Sequence, residues 1–188
     1  MTRWIGLAVA CISLLGCARG AEPETADSTA SEDQRRSEVL MARASSAASR
    51  ADYTRAEQYL NLAKESGRDE AEITPLLIDV CIKDQRYRAA LQYAQDHLRR
   101  HPRAYRLRFV EATLLSALGE VAHAREELEK VLAESPAHAD AHYSLAVLLR
   151  DDLGNHLEAD QHFRSYLRLA PRGAHAEEAG ESLLEAVP

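Results

Sequence analysis

The chain has 188 residues, of which 46% are hydrophobic and 28% charged, and its formal net charge is −7. This length allows one domain after an N-terminal segment of different composition. The acidic balance disfavours general binding to nucleic acid, so none is expected as a partner.

The first predicted element is a secretory signal peptide over residues 1–16. Arg3 supplies a positive charge, and the 13 residues from Trp4 to Gly16 include no charged side chain. A helix of that length spans about 20 Å, which is shorter than the ~30 Å hydrocarbon core of a bilayer. A basic start, a short apolar run and small residues at its end favour an export signal over a membrane-spanning helix.

The signal segment ends in the letters LLGC at positions 14–17. They resemble the bacterial lipobox, which has a leucine three places before a cysteine and a small residue just before it. The resemblance implies cleavage after Gly16, a diacylglyceryl thioether on Cys17 and an acylated amine, and three acyl chains anchor a protein firmly. By association, Ala18 indicates an outer-membrane lipoprotein facing the periplasm. The alternative is an ordinary cysteine after a conventional signal, in a soluble periplasmic protein.

Residues 17–36 are predicted to form the lipidated cysteine and a disordered tether. The 19 residues from 18 to 36 contain Pro23 and many Ser, Thr and Ala, but no large apolar side chain. Such a segment cannot bury a core. A flexible chain of that length has an r.m.s. reach of about 24 Å, which would hold a domain near the membrane.

From residue 37 onwards the sequence repeats about every 34 residues. Four columns of small or apolar residues keep this step: Ala44, Ile78, Ala112 and Ala146; Ala47, Cys81, Leu115 and Leu149; Ala56, Ala90, Ala124 and Ala159; and Leu60, Ala94, Leu128 and Phe163. Prolines follow at 102, 136 and 171. The one extra residue falls near "RDDLGN" at 150–155, a predicted turn, where an insertion costs little.

Each repeat predicts two amphipathic helices. In the third, the first helix is marked by Leu107, Val110, Leu114, Leu115 and Leu118, and the second by Val121, Ala124, Leu128, Val131 and Leu132. Gly119 separates them, and Pro136 closes the unit because proline fits a first turn but not a helix interior. The recurrent alanines indicate helices that cross too closely to admit a larger side chain.

These columns resemble the tetratricopeptide repeat (TPR) over residues 37–173, in four units of 37–70, 71–104, 105–138 and 139–173. The resemblance implies an all-α fold, a right-handed α-solenoid of about four helix-turn-helix units. In unit two, Pro75 predicts a late helix start with Thr74 as N-cap. The tail 174–188 predicts a C-terminal capping helix with one apolar face, formed by Ala176, Ala179, Leu183 and Val187.

The resemblance also implies a binding site, because first helices of such units line a concave groove that holds a partner peptide or helix. Carried over by column, the groove residues are Asp79, Ile82 and Lys83 in unit two; Arg106, Phe109, Thr113 and Ser116 in unit three; and Asp140, Tyr143, Val147 and Arg150 in unit four. Unit one offers Met41, Ser45 and Ser49. Phe109 and Tyr143 share a column, and exposed aromatics beside arginines suit interface anchors. The alternative is that both rings are partly buried between helices.

No sequence pattern for catalysis occurs: there is no Gly-rich phosphate loop, Gly-x-Ser-x-Gly elbow or His-Glu-x-x-His motif. His97 and His101, like His138 and His142, have the four-residue spacing that can place two zinc ligands on one helix face. Each pair lies beside a proline turn, however, and no Cys or third His joins it. No metal or cofactor is therefore expected, and Cys81, on a buried column, is expected to be a core residue.

Charge is distributed unevenly along the repeats. Residues 83–108 contain eight basic against two acidic side chains, whereas residues 111–134 contain six acidic against two basic ones. One interpretation is solvated helix faces with i,i+4 pairs. The other is an acidic partner, or anionic headgroups, meeting the middle repeats.

The sequence therefore predicts a non-catalytic protein–protein interaction scaffold, a membrane-anchored TPR lipoprotein of the cell envelope. Its architecture is similar to that of type IV pilus pilotin lipoproteins and outer-membrane assembly factors. A soluble periplasmic TPR adaptor without a lipid anchor is the alternative, and a metal-dependent enzyme the minor one.

Overall fold

The computed structural model describes residues 24–184, with side-chain surroundings from residue 31 onwards. Within these residues the chain forms nine α-helices and no strand. They are α1 (Glu24–Ser49), α2 (Tyr53–Glu65), α3 (Glu70–Lys83), α4 (Tyr87–Arg100), α5 (Tyr105–Ala117), α6 (Val121–Glu134), α7 (Ala139–Asp151), α8 (His156–Leu169) and α9 (Ala176–Glu181).

The helices stack in chain order as four helical hairpins. Each helix packs against the next one along the chain, and α5 also contacts α7, two helices away. The core is continuous in sequence, since buried clusters follow one another from α1 to α9. This arrangement confirms the predicted all-α solenoid of four helix-turn-helix units with a C-terminal capping helix.

All four predicted columns are buried. Ala56, Ala90 and Ala124 are 0% exposed and Ala159 is 2% exposed, so no space remains there for a larger side chain. The columns that begin at Ala44, Ala47 and Leu60 are buried throughout as well. The period in the sequence therefore reports one packing position in each hairpin.

The turn inside each hairpin contains one residue whose backbone has the left-handed conformation, with positive φ: Ala51, Gln85, Gly119 and Gly154. In the first three hairpins, the backbone N–H of the residue after it donates a hydrogen bond to the carbonyl oxygen five positions earlier. The bonds run from Asp52 to Ala47 O (3.0 Å), from Arg86 to Cys81 O (2.8 Å) and from Glu120 to Leu115 O (2.9 Å). This is the Schellman pattern of helix ends. In the fourth, Asn155 N–H donates to Leu149 O, six positions back, so this turn absorbs the extra residue.

Helix α3 begins earlier than the sequence predicts. Its N-cap is Asp69, whose carboxylate accepts a hydrogen bond from Ala71 N–H at 2.9 Å, and Pro75 lies inside the helix. A proline there removes only one backbone hydrogen bond. Thr74 is not the cap: it is buried, with its hydroxyl 3.3 Å from Nδ1 of His97.

Helix α1 extends into the segment predicted to be a disordered tether. It begins at Glu24 and has 26 residues, twice the 13 of α2. Residues 31–36 are exposed, and the first buried side chain is Ser37. Over 24–36 the structure thus has a helix where the sequence predicts a disordered tether, and a helix already held by packing extends at little further cost.

The capping helix α9 is shorter than the predicted 174–188. Ala179 is buried, and Ala176 and Leu183 pack against the cluster formed by α5–α8. Val187, the fourth residue of the predicted face, lies outside the described residues, as do the signal segment 1–16 and Cys17. No helix within residues 24–184 is long and apolar enough to cross a membrane.

Candidate binding groove

The first helices of the hairpins, α1, α3, α5 and α7, enclose two pockets that repeat each other. One, of about 340 Å³, lies between α1 and α3 and is lined by Ala44, Ser45, Ala48, Ser49, Leu60, Leu76, Asp79, Val80 and Lys83. The other, of about 280 Å³, lies between α5 and α7 and is lined by Ala112, Thr113, Ser116, Ala117, Leu128, Tyr143, Ser144 and Val147. Most lining positions of one pocket match those of the other, two repeat lengths later.

Both pockets have an apolar floor and small walls. The floor includes Leu60 in one pocket and Leu128 in the other, each from a second helix and at most 2% exposed. Alanines and hydroxyl side chains form most of the walls. Volumes near 300 Å³ are at the lower end for small-molecule sites, so each pocket suits one or two side chains of a bound peptide better than a large cofactor.

A third depression, of about 350 Å³, lies between the N-terminal halves of α3 and α5. It is lined by Ala71, Thr74, Pro75, Ile78, His97, Ala104, Arg106, Leu107 and Val110. Successive first helices are thus separated by a depression at every step from α1 to α7.

Seven of the eleven predicted groove residues line these depressions: Asp79 and Lys83 between α1 and α3, Arg106 between α3 and α5, and Thr113, Ser116, Tyr143 and Val147 between α5 and α7. The other four are outside the lining. Ile82 and Asp140 are exposed on α3 and α7, while Phe109 and Arg150 are half-buried in contacts of their own.

The two predicted aromatic anchors are partly buried between helices. The Phe109 ring packs against His138, with ring centroids 4.8 Å apart. The Tyr143 ring stacks on His175 at 4.0 Å, and its hydroxyl donates to the Glu178 carboxylate of α9. Burial, together with that carboxylate, raises the pKa of Tyr143 to about 12. Neither ring projects freely into the groove.

Helix α9 covers the C-terminal end of the groove. Arg150 pairs with Asp151 at 2.6 Å and with Glu178 at 3.3 Å, and it also donates to the Ser182 hydroxyl. Hydrogen bonds from Tyr143 and then Arg150 keep the pKa of the Glu178 carboxyl below its usual value. The predicted residues of α7 are therefore divided between an open pocket and contacts with the capping helix.

No family profile matches the sequence, and no curated protein matches it. Among solved structures, a tetratricopeptide repeat protein from Parabacteroides merdae superposes with a TM-score of 0.69 at 22% identity, over 79% of this chain and 59% of that protein. YrrB, a TPR protein described as having an unusual peptide-binding site, superposes with a TM-score of 0.65 at 21% identity, over 82% of this chain and 76% of YrrB. MamA superposes with a TM-score of 0.66 at 14% identity, over 82% of this chain and 100% of MamA.

The chain has the TPR fold. The agreement in backbone with these proteins, at low identity, confirms the fold predicted from the alanine and proline columns. The chain spans about three-fifths of the Parabacteroides protein.

The positive charges of the basic stretch, residues 83–108, are largely neutralised by carboxylates of the same fold. Six of its eight cations lie within 4 Å of a carboxylate, and four of these pairs join different helices or turns: Arg86–Glu57, Arg88–Glu120, Arg100–Glu70 and Arg108–Glu127. Only Arg103 and Arg106 have no such partner among the residues with described side chains. The geometry favours solvated, paired helix faces over a surface for a large acidic partner.

The two histidine pairs in the TPR domain differ in their surroundings. His138 is the N-cap of α7, where its Nδ1 accepts from Ala141 N–H, while His142 contacts His162 with their Nδ1 atoms 2.9 Å apart. His97 and His101 are joined instead by Glu70, the first residue of α3. Sequence spacing does not reveal this carboxylate, because it lies 27 positions before His97 and meets it only through helix packing.

Cys81 is a core residue, as its column predicts. The thiol is buried and lies 3.9 Å from the Glu57 carboxylate. Burial, and then the nearby negative charge, raises the pKa of Cys81 to about 11. The thiol is therefore protonated at neutral pH and poorly reactive.

Proposed function

We propose that this chain is a non-catalytic TPR scaffold that binds a peptide or helix of a partner protein along α1, α3, α5 and α7. The observation that supports this most directly is the recurrence of one pocket, with matching lining positions, between α1 and α3 and between α5 and α7. A repeated pocket suits an elongated ligand that places side chains at regular intervals.

The composition of the pockets supports the same proposal. Small walls allow the backbone of a ligand to approach closely, and the leucine floor removes an apolar side chain from water. Thr113 and Ser116 are exposed at the rim, where their hydroxyls are accessible to a partner. YrrB, which shares the fold, is itself described as having a peptide-binding site.

The finer part of the proposal is a lipid anchor on Cys17 that holds the scaffold at the periplasmic face of the outer membrane. It is supported by the LLGC letters at 14–17 and the short apolar run before them. Because α1 starts at Glu24, a helical spacer of about 20 Å over residues 24–36 would stand between the anchor and the repeats. Pilus, secretion or outer-membrane assembly is the proposed setting, and a soluble periplasmic adaptor is the alternative.

A charge placed in the groove tests the proposal. Ser116 and Ala133 are both exposed and both occupy the penultimate position of their helices, α5 and α6, but of the two only Ser116 lines one of the three depressions described above. We expect Ser116→Arg to reduce partner capture from native membranes about tenfold, whereas Ala133→Arg leaves it unchanged. Equal capture by both variants would refute binding at this face.

A further inference from the structure

Three potential metal-ligating side chains meet where α3 begins and α4 ends. Glu70 opens α3, His97 lies in the last turn of α4, and His101 is the C-cap of α4. One ligand atom of each lies within 4.8 Å of the corresponding atoms of the other two. The two imidazole ring centroids are 4.5 Å apart.

Parts of this cluster are held in place without a metal. His97 is only 7% exposed, and the Thr74 hydroxyl lies 3.3 Å from its Nδ1, so packing and this contact hold the ring in place. The backbone bond from His101 N–H to His97 O, 2.9 Å long, fixes the two histidines one turn apart.

We propose that Glu70, His97 and His101 bind a divalent transition metal, with zinc as the best-suited ion. Two imidazoles and one carboxylate form a ligand set that zinc accepts, with a fourth position open to water. Zinc ligands lie about 2.0–2.2 Å from the metal, so the three side chains must close around it. His101 is exposed and Glu70 only half-buried, so neither side chain is enclosed by the core. The site adjoins the proposed peptide groove, because His97 and Thr74 also line the depression between α3 and α5.

Two cations already hold the Glu70 carboxylate. Lys64 Nζ lies 2.6 Å from Oε1, and the Arg100 guanidinium spans both oxygens. A metal ion must take one oxygen from Arg100, so Arg100 acts as a competitor. Removing Arg100 should therefore tighten metal binding, which a purely structural ion pair does not predict.

The test is titration of the purified full-length chain, without a polyhistidine tag, with zinc alone in a calorimeter. We expect one zinc per chain at this site, with binding weakened about tenfold or more by His101→Ala or Glu70→Gln. Arg100→Gln should tighten binding by about three- to tenfold. Arg99→Gln is the matched control, because Arg99 is adjacent to Arg100 in the chain but its guanidinium pairs with Asp96 and not with Glu70. Cobalt in place of zinc should give the visible absorption of a four-coordinate site.

Three outcomes would overturn the site. They are no stoichiometric zinc binding, zinc binding unchanged by both His101→Ala and Glu70→Gln, and zinc binding that Arg100→Gln fails to strengthen. The two ligand positions chosen for substitution are not fully buried, so the variants should fold, and far-UV circular dichroism checks this. Binding that persists in these variants would assign the zinc elsewhere, for example to His142 and His162.

Discussion

Each repeat turn needs one residue with a left-handed backbone, and the four turns fill this position differently. Gly119 and Gly154 have φ of 75° and 63°, whereas Ala51 and Gln85 adopt φ of 58° and 59° with a side chain present. A Cβ in this region costs about 1 kcal/mol. The first two repeats therefore contain a local strain that the last two avoid.

Glycine at the strained turns should stabilise the fold. We expect Ala51→Gly and Gln85→Gly each to raise the free energy of unfolding by about 0.5–1 kcal/mol, measured by urea denaturation. The reverse change, Gly119→Ala, is the control and should lower it by about 1 kcal/mol. A Cβ at 119 meets no atom within 4 Å, so this loss would come from the backbone alone. Destabilisation by both glycine substitutions would contradict the assigned turns.

The Tyr143 ring is expected to stabilise the fold as well as line the groove. Because the ring packs between α7, α8 and the residues before α9, we expect Tyr143→Ala to cost about 2 kcal/mol, less than full burial would give. Tyr143→Phe keeps the ring contacts and loses only the hydrogen bond to Glu178, so it should cost about 1 kcal/mol or less. Equal stability of wild type and Tyr143→Ala in thermal unfolding would show the ring to be a free anchor.

At the scale of the element, α9 acts as a shortened first helix that closes the stack. It is held by apolar packing through Ala179 and by the contacts of Glu178 with Tyr143 and Arg150. Ending the chain after residue 173 should lower the free energy of unfolding by about 2–3 kcal/mol, because the last hairpin loses its cover. Ending it after residue 184 should change little, since these contacts remain. Chemical denaturation of both truncated chains measures the difference.

The docking of α9 should also depend on pH. The pKa of Glu178 is lowered in the folded chain, so its contribution to stability is present at neutral pH and is lost as the pH falls through that lowered value. Glu178→Gln should therefore destabilise the chain at pH 7 but have little effect at an acidic pH below the lowered pKa of Glu178. The neighbouring exposed Glu177, which forms no ion pair in the described region, provides the control Glu177→Gln, which should have no effect at either pH. A pH-independent difference would contradict the assigned pair.

Most elements could be predicted from the sequence because a packing position recurs with each repeat. Two helix starts could not. Composition predicted a segment without a core over residues 18–36, but not that α1 would continue into it, and Pro75 concealed the stronger cap at Asp69. The partial burial of Phe109 and Tyr143, and the meeting of Glu70 with His97, depend on how neighbouring helices cross, which no single repeat encodes.

At the scale of the whole molecule, the lipid anchor is open to direct test. Cys17→Ser should abolish metabolic labelling with palmitate and move the chain from the membrane to the soluble fraction. Cleavage before Cys17 also removes Trp4, the single tryptophan of the chain, so the processed protein should show only tyrosine emission. Wild-type chain that is processed yet unlabelled and soluble would support the periplasmic adaptor instead.

The central claim is that the first helices form the binding face, and site-specific photocrosslinking tests it most directly. Ser45, Asp79 and Thr113 are repeat-equivalent exposed positions on first helices; Gln58, Gln92 and Glu126 are repeat-equivalent exposed positions on second helices. With a photoreactive residue at each position in turn, we predict that one partner is crosslinked in native membranes from the first set and not from the second. Crosslinking of that partner from the second set alone, or equally from both, would contradict the account.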